Sequence, residues 1–340
     1  MDHVVGQTLE HEAGGPGAVA APRVASLLPC ATEMVALLGA VDLLVGVSHE
    51  CDYPAGLERL PRLTRTRVRH PASGVAIDAE VRALLEQALA VFEVDAAGLA
   101  AARPDIVLTQ DLCDVCAVSK EAVERAAREV LGGDARIVCM SPSRLAEVWQ
   151  AVRAVGVAIG RPERGEREAA RLEERCRALA MRARAALAGA SAPRVLTIEW
   201  LAPVMVGGTW MPDLVELAGG VAVAATAGAH APTLSEAELA RLEVDCVLVK
   251  PCGFTLEHAL ADLEAVERLV QAVRIDPRRV WIADGNAYFN RPGPRLVESL
   301  EILLAILHEG ACDDLRAKHA RDVVDLPTAR ALARNRPCTP

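Results

Sequence analysis

Short runs of β-branched and aliphatic residues alternate with helical segments, and this alternation constrains the fold more than any other feature of the sequence. In the first half, apolar runs of strand length lie at residues 24–28, 45–47, 106–108 and 136–140. The segments at 78–94 and 119–132 have the apolar spacing of amphipathic helices. Strands that alternate with helices form a parallel sheet covered on both faces, so we predict an α/β fold.

The second half of the chain repeats this scheme. Its apolar runs lie at residues 195–198, 246–249 and 280–283, each followed by a helical segment. Between the halves, residues 143–190 read as nearly continuous helix, broken only around 160–162, with a length on the order of 60 Å. We therefore predict a disordered N-terminal tail (1–22), an N-terminal α/β lobe (23–141), a linking helix (142–190), a C-terminal α/β lobe (191–308) and a weakly packed C-terminal tail (309–340).

Charge and hydropathy exclude several classes of protein. The net charge of −9 argues against a nucleic-acid partner, which needs a basic face. No apolar run reaches the roughly 18 residues of a membrane span, so we expect no membrane-embedded part. Residues 1–22 show no secretory leader, and the ten cysteines are then expected to be reduced thiols in the cytoplasm. No nucleotide or hydrolase motif occurs, which favours a binding protein over an enzyme.

Unusual side chains follow the predicted strands, where parallel sheets bind their ligands. The chain has four Trp, two Tyr and three Phe, and six of these nine rings lie in such loops: Tyr53, Trp200, Trp210, Phe254, Tyr288 and Phe289. Flat rings with a few polar neighbours suit a large, flat or conjugated small molecule. We therefore expect the ligand in a cleft between the two lobes.

Three segments carry a resemblance to a known family. The stretch "RVASLLPCATEMVALLGAVDLLVGVSHECDYP" resembles the opening of the vitamin B12/iron-siderophore substrate-binding proteins of ABC importers. The segments "PVMVGGTWMPDLVELAGG" and "DGNAYFNRPGPRLVESLEIL" are similar to later parts of that family, in the same order, so the resemblance covers about residues 23–308.

The resemblance implies two Rossmann-like lobes with little hinge motion, the class III periplasmic-binding-protein fold. It implies cobalamin, another corrinoid or a metal chelate in the cleft, held by residues that include Asp52, Tyr53, Asp284 and Arg291. The partner would be an ABC transporter or a cobalamin-using enzyme. The glutamates with which such importer proteins dock on the transporter would fall near Ala97 and at residues 236–238.

Cysteines at strand ends depart from the family pattern. Cys51, Cys113, Cys116 and Cys252 come from both lobes, and four thiolates satisfy Zn²⁺ or an iron–sulfur cluster. Two alternatives stay open: Cys113 and Cys116 form a redox pair, or the thiols only fill space under a loop. His49 is either an axial ligand of a cobalt or iron centre or a hydrogen-bonded loop residue.

Three functions therefore compete. The first is a cytosolic protein that binds cobalamin or another metal chelate, and this is the function we expect. The second is a metal or iron–sulfur protein with cysteine ligands, perhaps an enzyme, on the same fold. The third is the substrate-binding subunit of an ABC importer whose start codon is wrongly assigned.

Overall fold

The first sheet is small and entirely parallel. The computed structural model describes residues 21–67, 77, 92–110 and 135–334. The strands β1 (Val24–Ser26), β2 (Leu44–Val47), β5 (Ile106–Gln110) and β6 (Arg136–Met140) pair in the order β2-β1-β5-β6. Helices α1 (Pro29–Leu37) and α2 (Ala96–Ala102) precede β2 and β5, while β3 (Thr64–Thr66) and β4 (Phe92–Val94) form an antiparallel pair. The carboxyl ends of β1 and β2 therefore present their following loops at one edge.

The second sheet is larger and mixed. Its centre is parallel and consists of β7 (Arg194–Leu201), β11 (Cys246–Val249) and β12 (Val280–Ala283). The sheet continues on one side through β8 (Val204–Val206) and β10 (Thr233–Leu234), and β9 (Val221–Ala222) also pairs with β7. Its helices are α5 (Met211–Leu217), α6 (Glu236–Leu239), α7 (Leu256–Ala261), α8 (Leu263–Val273) and α9 (Leu296–Leu307).

The linking segment is a helical hairpin rather than one straight helix. It comprises α3 (Leu145–Ala158) and α4 (Pro162–Leu187), and the break falls where the sequence predicts it. Gly160 has a positive φ of 75° and Pro162 starts α4, a pair of residues that stops one helix and begins the next. The helices pack so closely that a Cβ on Gly156 would lie 2.8 Å from the Cα of Gly165. The 26 residues of α4 span about 39 Å, less than the length of a continuous helix.

Both lobes share one buried apolar cluster. It contains Val24 of β1, Trp149 of α3, Leu172 of α4, Leu214 of α5 and Leu300 of α9, all nearly inaccessible to solvent. A core that crosses from one sheet to the other through the helical hairpin opposes large rotations of the lobes, because such a rotation would expose apolar surface.

The C-terminal segment packs against the second sheet, which differs from the predicted weakly packed tail. Helix α10 (Asp313–Lys318) is followed by β13 (Val323–Asp325), which pairs antiparallel with β12, and by α11 (Leu326–Arg334). Leu326 and Ala329 are fully buried. A three-residue edge strand is too short to produce a recognisable hydrophobic period. No helix in the described ranges combines the length and the apolar character that crossing a membrane requires.

Candidate functional site

Two predicted site residues from opposite lobes form a direct ion pair. Arg291 lies after β12, and Asp52 lies 239 residues earlier in the loop after β2. The guanidinium donates from Nη1 to Asp52 Oδ1 at 2.6 Å and from Nη2 to Asp52 Oδ2 at 3.0 Å. The Arg291 side chain is only 11% exposed, whereas that of Asp52 is 49% exposed. This two-point contact joins the lobes at the edge where the carboxyl ends of β2 and β12 meet.

A buried glutamate completes the interlobe contact. Glu33 lies in α1 among apolar neighbours, and its side chain is 1% exposed. It accepts hydrogen bonds from Arg295 Nε at 3.0 Å and Nη2 at 2.5 Å, and from Arg291 Nη1 at 3.3 Å. Neither Glu33 nor Arg295 was predicted from the sequence. A single carboxylate in the otherwise apolar "PCATEMVALL" was the available signal, since a buried acid needs a partner.

The interlobe ion cluster, defined as Glu33, Asp52, Arg291 and Arg295, balances its own charge. Burial alone would raise the pKa of Asp52, but hydrogen bonds and charge from Arg291 outweigh burial and lower it. Burial opposes the charged form of Arg291 as well, yet its bonds to Asp52 and the Glu33 charge raise the pKa. The cluster pairs two carboxylates with two guanidinium groups, so its formal charges sum to zero.

The loop that carries Arg291 is shaped by Asp284 and Asn286. Asp284 Oδ1 accepts hydrogen bonds from the backbone amides of Asn286 at 3.0 Å and Ala287 at 2.7 Å, which closes an Asx-type turn. The Asn286 side chain donates to Asp52 Oδ2 at 2.7 Å and accepts from Arg291 Nη2 at 2.8 Å. Asp284 thus positions the loop, while Asn286, which the sequence analysis did not single out, contacts the ion cluster.

A buried lysine ties this loop to the neighbouring one. Lys250 follows β11 and is fully buried, and its Nζ donates to Glu199 Oε2 at 3.2 Å and to Asn290 Oδ1 at 2.6 Å. The Asn290 amide in turn donates to the carbonyl oxygens of Lys250 at 2.9 Å and Gly285 at 2.8 Å. Lys250 was also missed, although a lysine directly after a four-residue apolar strand is the kind of residue that must find a partner when buried.

Aromatic rings surround the cationic side of the cluster. The Arg295 guanidinium lies 4.6 Å from the ring centre of Tyr53 and 5.8 Å from that of Tyr288, one ring from each lobe. These distances are those of cation–π contacts. Tyr53 is half exposed. Burial, together with nearby Asp322, raises the pKa of Tyr288, so its phenol stays neutral.

The other predicted rings fall in two different environments. Trp200 and Phe254 pack edge to face with ring centres 5.5 Å apart, and both are partly exposed. Trp210 and Phe289 are instead buried in the apolar core, where Trp210 Nε1 donates to the Phe289 carbonyl at 2.7 Å. This differs from the expectation that they line a pocket. Two large rings stabilise the fold more when they are buried against apolar helices than when they line a pocket open to water. Burial costs Trp210 no hydrogen bond, because its indole N–H is satisfied by the Phe289 carbonyl.

The proposed cysteine site is only partly within the described residues. Cys51 is buried beside Thr32, with Sγ and Oγ1 3.1 Å apart, and burial raises the pKa of its thiol to about 11. Cys252 is partly exposed, and His49 Nδ1 lies 2.7 Å from Thr64 Oγ1. In the ranges that the structure describes, no three His, Cys, Asp or Glu side chains are grouped to hold a metal ion. Cys113 and Cys116 lie outside those ranges, so a four-cysteine site stays a prediction.

Comparison with solved structures shows the same fold in several binding proteins. A periplasmic heme-binding protein from Pseudomonas aeruginosa is 21% identical, with a TM-score of 0.64 over 85% of this chain and 93% of that one. The periplasmic vitamin B12-binding protein BtuF of Vibrio cholerae is 20% identical, with a TM-score of 0.59 over 84% and 96%. The periplasmic heme-binding protein RhuT from Roseiflexus sp. RS-1 is 25% identical, with a TM-score of 0.61 over 86% and 100%.

Sequence comparison identifies the family itself. No curated protein matches the chain. The sequence profile described as periplasmic binding protein, however, matches residues 24–274. This range begins at β1, includes both interlobe helices and ends at the residue after α8. It contains Glu33, Asp52 and Lys250, although not the loop that carries Arg291. The match covers well over half of the 340 residues, and the chain therefore belongs to the periplasmic binding protein family.

Proposed function

We propose that this protein binds a flat, metal-centred macrocycle, a corrinoid or a heme, between its two lobes. The observation that carries the proposal is the half-exposed Tyr53 ring, which stacks on Arg295 at the point where loops of both lobes meet. An aromatic face beside a fixed cation can support a conjugated ring and also contact its polar rim.

The ligand chemistry follows from what the loops supply. Tyr53 and the pair Trp200 and Phe254 provide partly exposed aromatic surface, and Arg291 with Asn286 provides hydrogen-bond donors. The similar structures include proteins described as binding vitamin B12 and heme, which are both large planar chelates. Ligands of this shape bury much apolar area and need few polar anchors, which suits an interlobe site of this composition.

A visible-absorption titration tests the proposal. Hydroxocobalamin and hemin are titrated separately into anaerobically purified protein, followed by gel filtration. We expect one of them to saturate at about one equivalent and to stay with the protein, and Tyr53→Ala to weaken that binding roughly tenfold. Val157→Ala, which removes another exposed apolar side chain, is the matched control. Loss of both macrocycles on gel filtration of the wild-type protein would overturn the proposal.

We further propose that the protein acts in the cytoplasm, where it would store or deliver its ligand. The support is the ten cysteines of the sequence, a number that suits a reducing compartment. The described cysteines form no disulfide bond with each other. The alternative is that the protein is the substrate-binding subunit of an importer. In that case the exposed Glu236 and Glu238 would form part of the surface that docks on the transporter. Fractionation of the native host distinguishes the two, since recovery outside the cytoplasmic membrane would favour the importer subunit.

A further inference from the structure

The ion cluster contains one carboxylate that can leave and one that cannot. Glu33 is buried, with hydrogen bonds to both arginines. Asp52 is half exposed, lies on a loop and can turn into water without exposing the core. Its removal would leave Arg291, which is largely buried, with Glu33 at 3.3 Å as its remaining carboxylate partner in the cluster, beside its hydrogen bond to Asn286 Oδ1 at 2.8 Å. A buried guanidinium with spare donors favours a replacement anion.

The donors that hold Asp52 do not depend on Asp52 for their position. The backbone amide of Asn286 donates to Asp284 Oδ1 at 3.0 Å and to the Phe254 carbonyl at 2.9 Å. Arg291 is oriented by Asn286 Oδ1 at 2.8 Å and by Glu33. Two N–H groups of the Arg291 guanidinium and the side-chain amide of Asn286 therefore all point to the position of one carboxylate. A preorganised three-donor arrangement of this kind binds an anion with little ordering cost.

Charge balance decides what can happen when an acidic ligand arrives. With Asp52 in place, the formal charges of Glu33, Asp52, Arg291 and Arg295 sum to zero, and the neighbouring Glu50, whose pKa is raised by burial, adds no cation. An added carboxylate would therefore leave uncompensated negative charge. If the ligand carboxylate takes the place of Asp52, and Asp52 moves into solvent, the net formal charge of the buried cluster stays at zero. Exchange is therefore favoured over addition.

We propose that Asp52 is a built-in occupant of an anion subsite, and that the ligand enters by displacing it from Arg291 and Asn286. The inference rests on the proposed function and narrows it to macrocycles that carry a free carboxylate at the rim. Heme has two such groups, whereas the corrin rim of cobalamin carries neutral amides. Asp52 is then a specificity-determining residue. A ligand without an acid forms no new ion pair with Arg291, so the loss of the Asp52–Arg291 pair is not compensated.

The test compares hemin with its dimethyl ester, which has the same ring and no rim acid. Each is titrated into the wild-type protein and into the variants Asp52→Asn and Asp276→Asn. Asp276 pairs with Arg278 at the surface and serves as the matched control. We expect wild-type protein to bind hemin more tightly than the ester. Asp52→Asn should raise hemin affinity roughly tenfold and leave ester affinity unchanged, since only the acid competes with Asp52. Asp276→Asn should change neither.

Each other outcome overturns a defined part of the account. Equal affinity of the wild-type protein for hemin and its ester, or weaker hemin binding by Asp52→Asn, would contradict displacement while leaving macrocycle binding intact. Binding of hydroxocobalamin but not hemin would do the same, because no rim acid is then required. If the wild-type protein binds none of the three compounds, the proposed function and this inference both fail. The wild-type comparison stands even if Asp52→Asn does not fold.

Discussion

We expect the substitution Glu33→Gln to lower the free energy of unfolding by about 3–5 kcal/mol. The amide keeps the size of the side chain and can still accept one hydrogen bond, but it carries no charge. Arg291 and Arg295 would then lie largely buried with Asp52 as their one remaining carboxylate partner in the cluster. Breaking a buried ion pair from one side costs much more than the pair contributes in net terms, because the remaining charge stays desolvated.

Urea denaturation followed by tryptophan fluorescence measures this loss. The matched control is Glu264→Gln, which removes the charge of an 89% exposed glutamate that pairs with Arg268 one turn along α8. Exposed pairs of this type contribute about 0.3–0.5 kcal/mol, so the control should unfold almost like the wild-type protein. If Glu33→Gln loses no more stability than the control, the ion cluster is not a principal contact between the lobes.

The substitution Gly285→Ala should disrupt ligand binding more than any other single-methyl change in this loop. A Cβ at position 285 would lie 2.1 Å from the Pro251 carbonyl oxygen and 2.7 Å from the carbonyl carbon of Lys250. Both are backbone atoms, so the clash cannot be relieved by a rotamer change. The loop that carries Asn286 and Arg291 must move away, and we expect a loss of more than tenfold in macrocycle affinity. The loss of folding stability should be about 1–3 kcal/mol.

A neighbouring glycine provides the comparison. At Gly293 an added Cβ would lie 3.3 Å from Cys30 Cβ, which a shift of a few tenths of an ångström relieves, and in ordinary van der Waals contact with Cys30 Cα and Glu33 Oε2, both at 3.5 Å. Gly293→Ala should therefore bind the ligand close to wild-type affinity and melt within a few degrees of it. Wild-type affinity in Gly285→Ala as well would mean that the position of this loop does not determine binding.

The fold was largely predictable because its signals are local. The apolar runs at 24–28, 106–108 and 280–283 each overlap an observed strand. They are recognisable in the sequence because a buried parallel strand must be apolar on both faces. Several elements were not predicted, among them β4, which forms at the end of the predicted 78–94 helix, the helical hairpin and β13. The hairpin of α3 and α4 depends on contact between Gly156 and Gly165, and β13 depends on pairing with β12. Both are set by tertiary contacts that a hydrophobic period does not record.

The site was predictable only in part because its contacts are long-range. Asp52 and Arg291 were named from the resemblance, and the structure joins them directly. Glu33 lies within an apolar segment and Lys250 directly after one. The sequence shows that each needs an oppositely charged or polar partner, but not which distant residue supplies it. Phe289 shows the converse: an aromatic residue in a functional loop can point into the core, which the residue type alone does not reveal.

The central claim, that the ligand binds between the lobes, is tested most directly by amide hydrogen exchange with and without a saturating macrocycle. We expect slower exchange in both residues 49–54 and residues 284–291, since these segments meet at the ion cluster. Protection should appear in both lobes at the same ligand concentration. Protection confined to one lobe, or unchanged exchange in both segments at saturation, would contradict an interlobe site.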